Sequence, residues 1–313
     1  KDRAELSTWR TIGSTLANMV IGVATPMVAY VVVDGKTVMS GSRMTIIAGV
    51  FSICAILCYI VCFKLTRERV EVPASSQKVS ASAIFKSIFT NRALLGIIVA
   101  AIFVLLSQLT VMSLAGYVYP NVYGSAAAQS TASLLGTVVM LIVCAPFASK
   151  LAAKFGKKEL AIASSICSAL VWLVCLIWRP ASVWGFVACY ILANVGMGFF
   201  NTIIWAMITD VIDDAEVRSG IREDGTIYSV YSFARKLGQA FSSGLVGALL
   251  GIIGYTEATA FDPAVTRGIF NMACIAPIIG FVCIVLALVF LYPLNKKKVE
   301  ENVAALAARR NSK

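Results

Sequence analysis

Stretches of apolar residues alternate with shorter polar intervals along the whole chain. Most stretches hold about 20 residues, the length that an α-helix needs to cross roughly 30 Å of hydrocarbon. This pattern predicts an all-α integral membrane protein that crosses the bilayer eight times. The predicted spans are residues 10–33, 44–63, 93–117, 130–148, 159–178, 182–209, 226–254 and 268–292.

The longest polar interval, residues 65–92, divides the chain unequally. It contains Pro73 and a serine-rich run, which are typical of a linker. Two predicted spans precede this linker and six follow it. The residues after the last span, 296–313, form a basic tail. Because residue 1 is lysine and no leader precedes the first span, we expect the chain to begin within a longer protein.

Composition and charge narrow the class of protein. The chain of 313 residues is 59% hydrophobic and 14% charged, which excludes a soluble domain because polar residues must cover such a domain. Lysine and arginine outnumber aspartate and glutamate by 27 to 16, and most of them lie in alternate intervals. Cytoplasmic loops carry this excess. We therefore expect a multi-pass protein of the plasma membrane with both termini in the cytoplasm, its cations facing lipid headgroups and not nucleic acid.

Missing residue types exclude several kinds of chemistry. The sequence has no histidine and no CxxC pair, so neither a metal site nor a disulfide framework is predicted. Apart from Glu159, the first residue of the fifth span, the eight predicted spans contain no aspartate or glutamate. Without an intramembrane general base, we do not expect an enzyme.

Two adjacent cations, Arg235 and Lys236, interrupt the apolar span 226–254. Lys236 follows Asp224 by twelve residues, about 18 Å along a helix, which places it near the middle of the bilayer. An ammonium group at that depth needs an anionic partner, and no predicted span supplies one. We expect the partner to be a ligand or an acid outside this sequence, so Lys236 is a candidate contact for a substrate or a coupling ion. The alternative is a lysine along a helix interface with its head in a small water pocket.

Four more residues are candidates because polar groups inside spans are costly and often functional. Asn201 and Gln108 are candidates for lining a cavity. Trp205 combines a flat apolar ring with an N–H donor, which suits a sugar ring, although its position equally suits an interfacial anchor. Arg10, at the start of the first span, is either an interfacial anchor or a contact for a gate or ligand.

Small residues recur at four-residue spacing beyond the two cations, at Ser243, Gly247 and Gly251, with Gly244 and Ala248 beside them. Such spacing lets the backbones of two helices approach closely in a membrane. The sequence therefore predicts that this stripe packs against a neighbouring helix.

Residues 210–240 carry the most specific pattern, DVIDDAEVRSGIREDGTIYSVYSFARKLGQA. This run resembles the signature of the melibiose-permease-like glycoside–pentoside–hexuronide:cation symporters, a family of the major facilitator superfamily. Residues 2–13 and 292–310 are similar to the start of that family's fifth helix and to its C-terminus. The resemblance implies a twelve-helix bundle built from two halves of six helices.

On this alignment the chain is equivalent to helices 5–12 of twelve. Residues 1–64 would be the last two helices of the N-terminal half, 65–92 the cytoplasmic linker, 93–295 the C-terminal half and 296–313 the tail. The first four helices of the family are absent from this sequence, so the chain would depend on them as a partner.

The resemblance also implies a function, the cotransport of a sugar, glycoside or sugar acid with Na⁺ or H⁺ by alternating access. By position, Lys236 matches a lysine between the cation and sugar sites, and Tyr231 and Ser232 match positions near the sugar. Arg10 matches an arginine on the cytoplasmic side of the sugar path. The family's cation-binding carboxylates lie on helices one, two and four, so this chain alone is expected to be an inactive part of a carrier with no cofactor of its own.

A charged loop after the family's tenth helix is implied to lock the cytoplasmic side of the carrier. The matching residues here are Asp210, Asp213, Glu216 and Arg222. Asp214 and Ala215 depart from the tyrosine and glycine usual in the family, which puts the packing of this loop in question. Residues 150–159 (KLAAKFGKKE) resemble a basic loop found in each half, although positive-inside charge explains them nearly as well.

Two alternatives to sugar transport stay open at this point. One is a carrier of a lysolipid-like or other amphiphile on the same fold, since an anionic or zwitterionic headgroup would also suit Lys236. The other is a membrane sensor that does not transport.

Overall fold

A computed structural model of the protein describes residues 2–33, 36–65, 91–220, 222 and 224–311. Nearly all of these residues are helical, so the predicted all-α membrane architecture is confirmed apart from one short hairpin. The predicted linker, residues 65–92, falls almost entirely outside the described ranges. The division of the chain into two halves at this linker therefore stays a prediction.

Ten α-helices and one β-hairpin make up the described part of the chain. The helices are α1 (Asp2–Ala29), α2 (Gly41–Leu65), α3 (Arg92–Tyr117), α4 (Ala126–Val139), α5 (Ala145–Phe155), α6 (Lys157–Trp178), α7 (Val183–Ser219), α8 (Asp224–Ile252), α9 (Pro263–Leu286) and α10 (Lys296–Asn311). π-Helical turns extend α3, α4 and α9, at Val118–Val122, Met140–Cys144 and Ala287–Leu291. The hairpin pairs β1 (Tyr30–Val33) with β2 (Lys36–Met39) in antiparallel register.

Six of the described helices are long and apolar enough to cross a membrane, namely α2, α3, α4, α6, α7 and α9 with their π-helical turns. The other two predicted spans are also helical. The described side chains of α1 include the apolar stretch Leu16–Ala29, and α8 carries Arg235 and Lys236. Both helices still pack within the bundle, α1 against α4 and α8 against α3.

The first predicted span, 10–33, is wrong at its C-terminal end, because the helix stops at Ala29 and the chain turns into the hairpin. β-Branched valines dominate β1 and favour an extended backbone. The hairpin docks on the far end of α3, where the Tyr30 hydroxyl donates to the Gly116 carbonyl at 2.7 Å. The Thr37 hydroxyl donates to the Gly124 carbonyl at 2.9 Å. These two bonds connect the polypeptide before the predicted linker to the polypeptide after it.

The predicted charged loop after the sixth span is also wrong, because α7, which is 37 residues long, continues through it as far as Ser219. No glycine or proline interrupts the run from Asp210 to Ser219, and the helix ends where Gly220 adopts a left-handed backbone with φ of 75°. A helix of this length extends about 55 Å, well beyond the hydrocarbon core. The charged residues thus lie on a rigid helical extension rather than on a loop.

The predicted basic loop 150–159 is likewise mostly helical. α4, its π-helical turn and α5 run without a break to Phe155, and α6 begins at Lys157. Only Gly156 separates them, with φ of 107°. The fourth predicted span, 130–148, is therefore part of a longer helical segment.

The core of the bundle lies around α3, whose buried face packs on both α8 and α9, while α6 packs on α7 and α9. α8 approaches α3 closely at Gly238. A Cβ atom added to Gly238 would lie 2.8 Å from the Ile102 carbonyl oxygen. Only glycine permits this spacing without a shift of one helix.

The small-residue stripe on α8 does not make the predicted close contact with any described helix. Added Cβ atoms at Gly244, Gly247 and Gly251 would meet nothing within 4 Å. Ser243 and Ala248 are exposed as well. The close approach of α8 occurs instead on its opposite face, at Gly238.

Candidate functional site: a polar face on α3, α7 and α8

One face of α7 carries its polar side chains at four-residue intervals. Asn201, Trp205, Thr209 and Asp213 recur at this spacing, which places them on one side of an α-helix. All four are at least partly exposed, whereas Ile203, Ile204, Met207 and Ile208, which lie between them in the sequence, are buried. The face runs from the apolar middle of α7 to its charged end.

Asn201 and Gln108, both candidates from the sequence, come together across α7 and α3. The Asn201 amide Nδ2 donates to Gln108 Oε1 at 3.4 Å. Both side chains are half-buried. Each amide retains donor and acceptor atoms beyond this bond, since an amide side chain carries two N–H groups and a carbonyl oxygen.

Trp205, Tyr231 and Arg235 form a cluster between α7 and α8. The rings of Trp205 and Tyr231 meet edge to face with their centroids 5.4 Å apart. The Arg235 guanidinium carbon lies 5.6 Å from the Trp205 ring centroid and 5.8 Å from that of Tyr231. Arg235 also donates to the Tyr231 hydroxyl at 3.3 Å. Tyr231 is buried, Arg235 is half-buried and Trp205 is 44% exposed.

Lys236 points to a different side of α8. Its ammonium Nζ donates to Gln239 Oε1 at 3.0 Å, one turn along the same helix. Lys236 and the nearby Ser232 are exposed. No ion pair is formed by Lys236 with any residue that the structure describes.

A compact ion cluster joins the charged end of α7 to the start of α8. Arg222, in the short connection between these helices, pairs with Glu216 at 2.7 Å, Asp213 at 2.9 Å and Asp224 at 2.8 Å. The neighbouring carboxylates, above all Glu216 and Asp213, raise the pKa of Arg222 above its already high value. Asp210 does not belong to this cluster and pairs with Lys157 at 2.6 Å.

The tail beyond the last span is a helix that packs on α7, which the sequence did not indicate. Asp214, one of the departures from the family pattern, is 1% exposed and accepts a hydrogen bond from Asn302 at 3.0 Å. Asp214 also pairs with Arg218 at 2.9 Å. Arg309 donates to the carbonyl of Val217 at 3.0 Å and to that of Glu216. The acid at this position therefore holds α10 against α7.

A cavity of about 400 Å³ lies between the ion cluster and α10. It is lined by Thr209, Asp213, Arg222, Val303, Leu306 and Ala307.

Arg10, the remaining sequence candidate, lies on α1, and its side chain falls outside the described part of the structure. Within the described ranges, no three cysteine, aspartate or glutamate side chains are arranged to hold a metal ion.

Comparison with known proteins identifies the family of this chain. Residues 1–296 match the family described as MFS/sugar transport protein. The chain is 29% identical to the uncharacterized symporter YjmB of Bacillus subtilis over 95% of the chain and 64% of the relative. It is 27% identical to the glucuronide carrier protein homolog of Escherichia coli over 83% of the chain and 56% of the relative. It is 24% identical to the isoprimeverose transporter of Lactiplantibacillus pentosus over 97% of the chain and 65% of the relative.

The chain thus spans less than two thirds of the length of these relatives. The family match nevertheless covers almost every residue, and it agrees with the apolar helices of the bundle. The relatives are carriers and not enzymes. The chain belongs to the MFS/sugar transport protein family, whose members are multi-pass membrane transporters.

Proposed function

We propose that the protein to which this chain belongs carries a sugar, glycoside or sugar acid across the plasma membrane, coupled to Na⁺ or H⁺. The observation that supports this best is the polar face that Gln108 on α3, Asn201 and Trp205 on α7 and Arg235 on α8 form, with Lys236 exposed on another side of α8. A glucuronide carrier homolog and an isoprimeverose transporter among the relatives fit the same substrate class.

The residues of this face supply what sugar recognition requires. The amides of Asn201 and Gln108 offer donors and acceptors to hydroxyl groups. The exposed indole of Trp205 offers a flat apolar surface for a sugar ring. Lys236 would compete with the coupling cation for carboxylates, which we expect on helices outside this sequence. On this proposal the chain alone is a partial carrier and does not transport.

The ion cluster at the end of α7 would act as a gate on the cytoplasmic side, where both termini would also lie. Arg222 holds three carboxylates at hydrogen-bonding distance and joins α7 to α8. Asp210 would contribute separately, through Lys157 at the start of α6. Alternating access requires such contacts to break and re-form as the bundle rocks.

The test uses the product of the complete reading frame, purified and reconstituted into vesicles. A labelled methyl glycoside should accumulate when a Na⁺ or a proton gradient is imposed, and collapse of the gradient should release it. Uptake at the same rate with and without either gradient would contradict the symport proposal. Uptake of labelled lysophosphatidylcholine without any sugar uptake would favour the amphiphile carrier, and no uptake of either would favour a sensor.

The role of Lys236 has its own test in the same vesicles. Lys236→Gln should abolish gradient-driven accumulation, because the ammonium group is removed from the coupling network. Lys297→Gln is a matched control, since Lys297 is an exposed lysine of α10. Full accumulation by Lys236→Gln would remove this residue from the site.

A further inference from the structure

The guanidinium group of Arg235 is positioned by aromatic rings rather than by an acid. Trp205 and Tyr231 flank it at 5.6 Å and 5.8 Å from their ring centroids. Among the residues that the structure describes, it donates one hydrogen bond, to the Tyr231 hydroxyl, which is long at 3.3 Å. Such cation–π contacts fix the direction of the group but leave its positive charge without a counter-ion.

No carboxylate of the described structure is placed to neutralise this charge. Asp224 lies eleven residues earlier on α8, about 16 Å along the helix axis. Asp210 and Asp213 lie five and eight residues beyond Trp205 on α7, about 8 Å and 12 Å along that axis. Asp210 is already paired with Lys157, and Asp213 and Asp224 are paired with Arg222. A half-buried cation within the apolar part of the bundle therefore faces the polar surface without an anion.

The geometry of the group suits an oxyanion. A guanidinium carries five N–H donors in a planar fork that matches a carboxylate or sulfonate with two parallel hydrogen bonds. Tyr231 accepts one bond from this fork. Lys236 does not compete for the same position, because successive residues of an α-helix point about 100° apart and its ammonium group is directed to Gln239.

We propose that Arg235 makes this face a binding site for anionic sugars, with the carboxylate of a uronate or the sulfonate of a sulfonated sugar on its guanidinium and the sugar ring against Trp205. This inference rests on the proposed function and specifies the substrate within it. A neutral glycoside can occupy the same surface but leaves the positive charge of the guanidinium without a counter-ion, which lowers its affinity. Arg235 is thus a residue that sets specificity, distinct from the coupling role proposed for Lys236.

The experiment measures competition in vesicles that contain the product of the complete reading frame. Counterflow of labelled methyl glucuronide is inhibited with unlabelled methyl glucuronide or with methyl glucoside, which differ only in the anionic group. The glucuronide should compete at least about tenfold better, the factor that one charge-assisted hydrogen bond contributes. Equal competition by the two sugars overturns the inference.

Substitutions assign the preference to Arg235. Arg235→Gln should reduce the preference for the glucuronide over the glucoside by about tenfold or more, and Arg235→Lys should retain part of it because the charge remains. Arg267→Gln on α9 is the matched control, since Arg267 is exposed and lies outside the polar face. An unchanged preference in Arg235→Gln overturns the inference. If this variant does not reach the membrane, Arg235→Lys decides, because an undiminished preference there rejects the bidentate contact.

The failure of this inference can be distinguished from failure of the proposed function. Counterflow of the glucoside with no recognition of the glucuronide leaves the sugar carrier standing and rejects Arg235 as its anion contact. Absence of counterflow for both sugars, in vesicles that retain the folded protein, rejects both proposals together.

Discussion

The contact between α8 and α3 at Gly238 offers a sharp test of the structure beside the candidate site. Gly238 lies two residues beyond Lys236. A Cβ atom added there would lie 2.8 Å from the Ile102 carbonyl oxygen and 3.2 Å from the Ile102 Cα atom. Both obstructing atoms belong to the backbone of α3 and cannot rotate away. Gly238→Ala must therefore push α8 away from α3.

The magnitude follows from these distances. Ordinary van der Waals contact begins at 3.4 Å, so the helices must separate by about 0.6 Å at this point. Overpacking of this kind costs about 1–3 kcal/mol. Alanine offsets about 0.5–1 kcal/mol of that cost by its higher helix propensity. The net loss is about 0–2.5 kcal/mol and is centred near 1 kcal/mol, which corresponds to a fall of about 2–4 °C in Tm at roughly 2–4 °C per kcal/mol.

The assay is thermal unfolding of the detergent-solubilised protein, followed by the fluorescence of its five tryptophans. Gly244→Ala is the matched control on the same helix, because a Cβ atom there meets nothing within 4 Å. Gly244→Ala changes only the helix propensity at an open position, so the Tm of this variant should stay the same or rise. A Tm for Gly238→Ala that equals or exceeds that of Gly244→Ala would refute the close approach of α8 to α3.

Three further predictions address other contacts of the fold. Asn302→Ala removes a donor from the buried Asp214 carboxylate, so it should cost about 1.5–3 kcal/mol and speed tryptic removal of α10. Tyr30→Phe removes the bond to the Gly116 carbonyl and should cost about 1 kcal/mol, measured as a small fall in Tm. Arg222→Gln breaks partly exposed ion pairs worth about 1 kcal/mol or less each, yet it should greatly reduce sugar uptake if the cluster is a gate.

Control variants accompany the first two changes, and the amount of folded protein serves as the reference for the third. Glu300→Ala, at an exposed position of α10, should leave proteolysis unchanged, and equal rates for Asn302→Ala would contradict the contact. Tyr59→Phe on the exposed α2 is the control for Tyr30→Phe, and identical Tm values would show that the hairpin bond contributes nothing. For Arg222→Gln, uptake that falls only in proportion to the amount of folded protein would remove the gate.

The length rule for membrane helices explains why most spans could be predicted from sequence. It depends on the thickness of the bilayer and not on tertiary contacts, so the cores of the spans agree with the helices. Helix ends outside the bilayer follow local chemistry instead. The charged residues after position 209 predict a loop, but charge alone does not end a helix. α7 continues to Ser219 and ends because Gly220 adopts a left-handed backbone. The hairpin after Ala29 was hidden because valine suits both a span and a strand.

The candidate site shows the same division between local and long-range information. The predicted depth of Lys236 rests on counting residues along one helix, and α8 does begin at Asp224. The meeting of Asn201 with Gln108 depends on how α7 and α3 pack, which no local pattern specifies. The contact of Arg235 with the Trp205 and Tyr231 rings was not predicted for the same reason. The four-residue spacing of Tyr231 and Arg235, which puts them on one face of α8, was a partial signal. The separation of Asp210 from the Arg222 cluster likewise depends on the position of α6.

The most direct test of the account asks whether the polar face binds a sugar. Counterflow in vesicles needs no ion gradient, so it separates sugar recognition from coupling. The product of the complete reading frame should show transient accumulation of a labelled methyl glycoside, and Trp205→Ala and Asn201→Leu should each reduce it at least about tenfold. Counterflow in these two variants at the wild-type rate, or no counterflow of any sugar by the intact protein, would contradict the central claim.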